Sequence, residues 1–174
     1  FQEQFGRPPS SLRRECGPTS GLSLRLDYRP PYDWAGMLAF LRTRAVTGLE
    51  SVTEHEYRRL TPQGEIVVRH HRARPALVAR LPLTLARQTL SLRARLRHLF
   101  DLDAHPAEIA LVLGSGYDPA LRVPGAFDPF EMALRAVLGQ QVSVRAATTL
   151  AGRLVTRYGG FFPSPELLAA EEPE

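Results

Sequence analysis

FDPFEMALRAVLGQQVSVRAATTLAGRLVTRY (residues 127–158) reads as two helices joined by a short polar turn, and that reading decides the second half of the fold. Asp128 is a natural N-cap, Pro129 suits the first helical position, and Glu131 completes a capping box three residues on. Ala133, Leu134, Val137 and Leu138 repeat at helical spacing, so the first helix turns one face to a core and stops at Gly139. Ser143 caps the second helix, whose buried stripe is Ala147, Leu150, Ala151, Leu154, Val155 and Tyr158, closed by Gly159 and Gly160. Between them, Gly139-Gln140-Gln141-Val142-Ser143 sets two adjacent amides beside the free N–H groups of a helix start. Such a tip is either a plain polar turn or a contact for a phosphate through the helix end and a base edge through an amide.

Upstream the periodicity changes. Leu22, Leu24, Leu26 and Tyr28 alternate with Ser23, Arg25 and Asp27, the pattern of a half-buried strand that Pro30-Pro31 ends. Asp33 caps a helix with Trp34, Met37, Leu38, Leu41 and Ala45 as its buried stripe, while Phe40 falls off its centre beside Arg42 and Arg44. Strands are predicted over residues 51–60, 65–71 and 76–81, with Thr61-Pro62-Gln63-Gly64 as a hairpin turn. Residues 84–100 follow as one long helix facing inward with Leu85, Leu92, Leu96, Leu99 and Phe100. Asp101-Leu102-Asp103 breaks it, and Pro106 starts a short helix to Leu113. The predicted class is α+β: an antiparallel sheet with packed helices, followed by the first helices of an all-α domain.

Composition narrows the function. Of 174 residues, 44% are hydrophobic and 23% charged, with a net charge of +4, as in ordinary globular proteins. No apolar run is long enough to span a membrane, and no cleavable signal precedes the fold, which predicts a cytoplasmic protein. Cys16 is the only cysteine, so the chain has no internal disulfide and no cysteine-based zinc site. Adjacent His70 and His71 point to opposite faces of a strand, poor geometry for a shared metal. No metal and no cofactor are expected. All 22 basic residues are arginine, and residues 66–100 hold eight of them with no acidic residue. That stretch is either a solvated face or one that attracts a polyanion.

LRLDYRPPYDWAGMLAFLRTRAVTGLESV and LRVPGAFDPFEMALRAVLGQQVSVRAA resemble the bacterial 3-methyladenine DNA glycosylase II (AlkA-type) family of helix-hairpin-helix DNA glycosylases. RHLFDLDAHPAEIALVLG is similar to that family's connecting helices. The resemblance implies an AlkA-type N-terminal domain over 22–83, connecting helices over 84–113 and a partial helix-hairpin-helix domain over 114–174. FxxxFGxxPSxxRR over 1–14 is similar to the end of an AraC-type helix-turn-helix domain, with 15–21 as linker, an order found in Ada–AlkA fusions.

From the same resemblance, Gln140, Gln141, Val142 and Ser143 form the DNA-binding tip, with Gln141 in the wedge position that leucine occupies in some members. Phe40 and Arg44 lie at the damaged-base pocket. The implied activity is excision of alkylated purines from duplex DNA by base flipping and N-glycosidic hydrolysis, by a monomer on DNA. No residue of this segment is nominated as catalytic. Asp128 and Glu131 are read as a capping pair, and the chain as a portion ending before the catalytic aspartate, inactive by itself. The rival expectation is a non-catalytic DNA-binding or transcriptional regulatory module of an Ada-like alkylation response.

Overall fold

The computed structural model describes residues 21–171. The AraC-like segment 1–14, linker residues 15–20 and residues 172–174 lie outside the described residues. Five strands form one antiparallel sheet in the order β1-β5-β4-β3-β2. They are β1 (Leu22–Asp27), β2 (Glu50–Val52), β3 (Glu56–Thr61), β4 (Gly64–His70) and β5 (Ala76–Leu81). The α+β class, with helices accompanying the sheet, agrees with the sequence reading.

The alternation in β1 becomes a two-faced sheet because paired residues share a face. One row, Leu24–Ala79–Val68–Tyr57, points inward, and all four residues are buried. Onto this face come Met37, Leu38 and Leu41 of α1 (Trp34–Arg42) and Leu92, Leu96 and Leu99 of α2 (Thr89–Leu99). Phe100 and Leu102 join the same core. Asp33 caps α1 by accepting from the Gly36 N–H at 2.8 Å. Arg122 is buried with no carboxylate partner among the described residues. Its guanidinium instead donates to the carbonyls of Arg29, Pro31, Pro119 and Leu121, tying two loops together.

The row behind, Arg25–Val78–Arg69–Glu56, lies on the outer face. Glu56 is only 7% exposed there because the guanidinium groups of Arg58 and Arg69 cover it. Burial works to raise its pKa, but the hydrogen bonds from those arginines outweigh it and hold the carboxyl below its ordinary 4.5. A carboxyl depressed by folding adds stability that is complete above the ordinary value and disappears as pH falls through the folded one. Stability should therefore decline on acidification below pH 4.5, and Glu56→Gln should flatten that decline in denaturant melts run at stepped pH. Parallel declines in the two proteins would show that Glu56 contributes nothing to it.

Three elements depart from the sequence expectation. The single strand over 51–60 is a hairpin, β2 and β3, broken at residues 53–55. There the Thr53 hydroxyl accepts from the N–H groups of His55 and Glu56, satisfying two donors that a continuous strand would have placed in a ladder. The helix over 84–100 is a 3-10 turn (Leu83–Gln88) followed by α2. At the junction the Thr89 and Ser91 hydroxyls bond back to the carbonyls of Ala86 and Gln88. The five inward residues predicted for this stretch are all buried.

The third departure concerns the helices that follow α3 (Pro106–Leu113): α4 (Pro129–Leu138), α5 (Val144–Arg157) and α6 (Pro165–Ala169). Of the predicted α4 stripe, Leu134 and Leu138 are half-buried, but Ala133 and Val137 are exposed, Val137 by 70%. No element among the described residues covers that edge of the helix. The apolar side of α5 instead finds the α1–β2 loop, where Ala151 and Val155 pack on Val46 and Leu49 in a second small core. The helices are thus docked on the sheet layer by residues about a hundred positions away.

Candidate functional site

The docking of α4 and α5 leaves a cavity of about 350 Å³ between the layers. Phe40 and Arg44, from the end of α1 and the turn after it, line one side. Gly139, Val142 and Val144, from the α4–α5 joint, line the other. The structure thus brings together two groups of sequence-predicted site residues lying some hundred residues apart. Phe40 is 39% exposed and is one of the residues lining this space. The Arg44 guanidinium lies 3.7 Å from that ring's centroid.

The joint forms as its residue types dictate. Gly139 ends α4, and the Ser143 side chain accepts from the Ala146 N–H at 3.2 Å to start α5. Ser143 is thereby occupied as a cap. The two adjacent glutamines are not equivalent. Gln140 donates its amide to the Ala136 carbonyl at 3.2 Å, folding back on its own helix. Gln141 stands exposed at the apex with φ +56°, in the left-handed region that non-glycine residues seldom adopt. Neither glutamine is among the residues that line the cavity, whereas Val142 is, with 44% of its surface still exposed.

Beneath the cavity lies a feature that sequence reasoning missed. Asp128 caps α4 as expected, accepting from the N–H groups of Phe130 and Glu131. Glu131, expected to complete the capping box, is turned away and buried, 6% exposed, in an ion pair with Arg59 of β3. Arg59 also donates to Glu50 at 3.1 Å, and Tyr57 donates its hydroxyl to the same carboxylate at 2.6 Å. Arg135, one turn along α4, reaches both Glu50 (3.4 Å) and Glu131 (3.3 Å), and donates to the Arg44 carbonyl at 2.6 Å. Two guanidinium groups and two carboxylates balance.

Burial opposes the Arg59 charge, but the Glu131 and Glu50 carboxylates outweigh it, so its pKa rises above an already high ordinary value. Burial, then the Glu50 carboxylate, pushes the Tyr57 hydroxyl well above its usual range, so it acts as a donor. Phe127 lies under this cluster, its ring 4.2 Å from the Arg59 guanidinium. The chain reaches that position by crossing the end of α2 at Gly125, where a Cβ would meet the His98 carbonyl oxygen at 2.5 Å. A local signal for the cluster existed in Glu131 and Arg135 four apart, but their partners on β2 and β3 had none.

The arginine-rich stretch is also resolved in part. Arg69 pairs with Glu56, Arg97 with Asp103 and Arg95 with Asp128, all acids from outside the stretch. Arg72, Arg74, Arg80, Arg87 and Arg93 have no carboxylate partner among the described residues and keep their charge for solvent or an anionic partner. No helix among the described residues is long and apolar enough to cross a membrane.

A family model described as the AlkA N-terminal domain matches residues 23–128. The chain is 37% identical over 164 residues to "DNA-3-methyladenine glycosylase 2" of Escherichia coli (strain K12), covering 86% of this chain and 58% of that protein. It is 39% identical over 173 residues to a protein of Mycobacterium tuberculosis named "Probable bifunctional transcriptional activator/DNA repair enzyme AlkA", covering 87% of this chain and 35% of that one. The chain thus spans less than two thirds of the length of either relative.

Proposed function

Because the chain belongs to the AlkA N-terminal domain family, we propose that the full-length protein is a base-excision DNA glycosylase that removes alkylated purines from duplex DNA. The observation that carries this is the shared cavity: an exposed aromatic ring from the sheet layer faces the helical joint across a space of about 350 Å³. In this reading Gln141 enters the gap left in the base stack, and the extruded base is received against Phe40. The apex backbone is left-handed at the exposed Gln141, a local strain that its folded neighbours maintain. Arginines without a carboxylate partner among the described residues, such as Arg72, Arg74, Arg87 and Arg93, supply the sequence-independent attraction for phosphates.

An electron-rich ring favours a cationic base over a neutral one, which is the chemical basis for choosing alkylated purines. The carboxylate that would stabilise an oxocarbenium-like sugar is assigned to none of residues 21–171. Glu50 and Glu131 are buried and each is neutralised by two guanidinium groups, and Asp128 is a cap.

The test is excision by the full-length protein. Changing Gln140 and Gln141 together to alanine should lower release of alkylated purines from duplex DNA about ten-fold or more, roughly 1.4 kcal/mol of transition-state stabilisation. Most of the loss should appear with Gln141→Ala alone, since the Gln140 amide is held by its own helix. Wild-type rates from the double variant would remove the joint from the mechanism.

The name of the Mycobacterium relative joins transcriptional activation to DNA repair. Together with the AraC-like pattern over 1–14, that favours a regulatory DNA-binding domain upstream in the same polypeptide. A full-length protein that binds promoter DNA specifically and releases no base would favour the purely regulatory alternative.

A further inference from the structure

Three arginines line the cavity, and they differ in what holds them. Arg59 and Arg135 are each paired with both buried carboxylates. Arg44 has no carboxylate partner among the described residues. Its head donates to two neutral oxygens, the Thr43 hydroxyl at 2.9 Å and the Phe40 carbonyl at a long 3.4 Å. What remains is the Phe40 ring, against which the guanidinium lies at 3.7 Å from the centroid, within cation–π range. The backbone beneath is anchored, because the Arg44 carbonyl accepts from half-buried Arg135 at 2.6 Å. The Arg44 side chain can therefore leave the ring without moving the wall of the cavity.

We infer that Arg44 is a resident cation, a built-in competitor that occupies the Phe40 ring until a cationic nucleobase displaces it, and that it thereby sets the threshold for which bases are accepted. This rests on the proposed reading of the cavity as a base pocket. The physics is a comparison of two occupants for one ring face. A neutral purine gains little there beyond stacking and cannot match a guanidinium electrostatically. An alkylated purinium carries the same charge as Arg44 and can replace it. The arginine then also repels that second cation until it swings out into solvent. Without Arg44 both the competition and the repulsion vanish, so the cationic ligand gains more than the neutral one.

The probes are 7-methylguanosine, in mildly acidic buffer where it is cationic, and neutral inosine, titrated against the full-length protein by NMR or fluorescence. Arg44→Met should bind the cation about five-fold more tightly, within the range set by one exposed to partly desolvated cation–π contact. It should leave inosine changed by less than about two-fold. Arg44→Gln should behave the same way, which guards against a packing defect special to methionine. Phe40→Leu in the Arg44→Met background should abolish the gain.

Unchanged or weakened cation binding in both Arg44 variants overturns the inference. So does an equal gain for cation and neutral probe, since that means simple unblocking without charge competition. If wild-type protein releases no alkylated base from DNA, the glycosylase reading fails, yet the nucleoside titration still decides the role of Arg44. If release is detected but falls in the Arg44 variants with a shallower salt dependence, Arg44 contacts a phosphate and the inference is wrong while the reading stands.

Discussion

Arg59→Met is expected to destabilise the protein by about 3–5 kcal/mol, because it strands buried carboxylates without their main counter-charge. Arg59 is 6% exposed and bonds both Glu50 and Glu131, with Tyr57 donating to Glu50 beside it. Methionine keeps the aliphatic stem but ends short of the guanidinium and brings no donor, so the loss combines uncompensated charge with a small void. Arg135 stays behind as a single cation facing two carboxylates, at 3.3 and 3.4 Å. Adding Glu131→Gln should restore part of the loss by lowering the number of uncompensated charges, with a coupling of about 1–3 kcal/mol between the two sites. Because the pair joins β3 to the first turn of α4, the loss should also loosen the helices from the sheet. Denaturant melts of the four proteins measure both quantities, and a loss below about 1 kcal/mol would mean that water solvates the cluster. Replacing the whole cluster by apolar residues is a different experiment, in which such exchanges are often neutral.

Phe100→Ala is expected to cost about 3–5 kcal/mol, the range for removing a buried aromatic ring. Phe100 is fully buried, edge-on to Tyr57 at 5.6 Å and 86° and tilted against Trp34 at 5.5 Å. Its carbonyl accepts from the Tyr32 hydroxyl at 2.8 Å, so the backbone is held in place and the surroundings have little freedom to collapse into the hole. Phe100→Leu keeps most of the volume and should cost under about 1.5 kcal/mol. Trp34 is the only tryptophan, so its fluorescence reports the packing change directly. An alanine variant as stable as wild type, with unaltered tryptophan emission, would show that the ring is not part of the working core. Tyr57 links this core to the ion-pair cluster, so Phe100→Ala combined with Arg59→Met should depart from additivity.

What could be read along the chain was whatever depends on near neighbours. Asp33, Asp128 and Ser143 cap helices because each side chain needs only the N–H groups two or three residues ahead. The inward residues of residues 84–100 were recognisable even though the helix starts later than expected, since periodicity survives a change of helical type. Glu131 shows where this stops. A capping-box glutamate and one half of a buried ion pair look alike in sequence, and the choice is made by Arg59, 72 residues away. Ala133 and Val137 fail for a related reason, because an apolar stripe says which face wants covering and not what arrives to cover it.

The amino-acid sequence by itself determined the α+β class, the caps, the turn at Gly139 and the strand alternation, since all of these are settled by hydrogen bonds and sterics within a few residues. Only the tertiary structure decided that Phe40 and the α4–α5 joint face one cavity, that Glu131 serves β3 instead of its own helix, and that three arginines of the acid-free stretch are neutralised. Those outcomes depend on where separate elements meet. That is set by the summed burial of both cores and by the pairing of charges that cannot be buried alone.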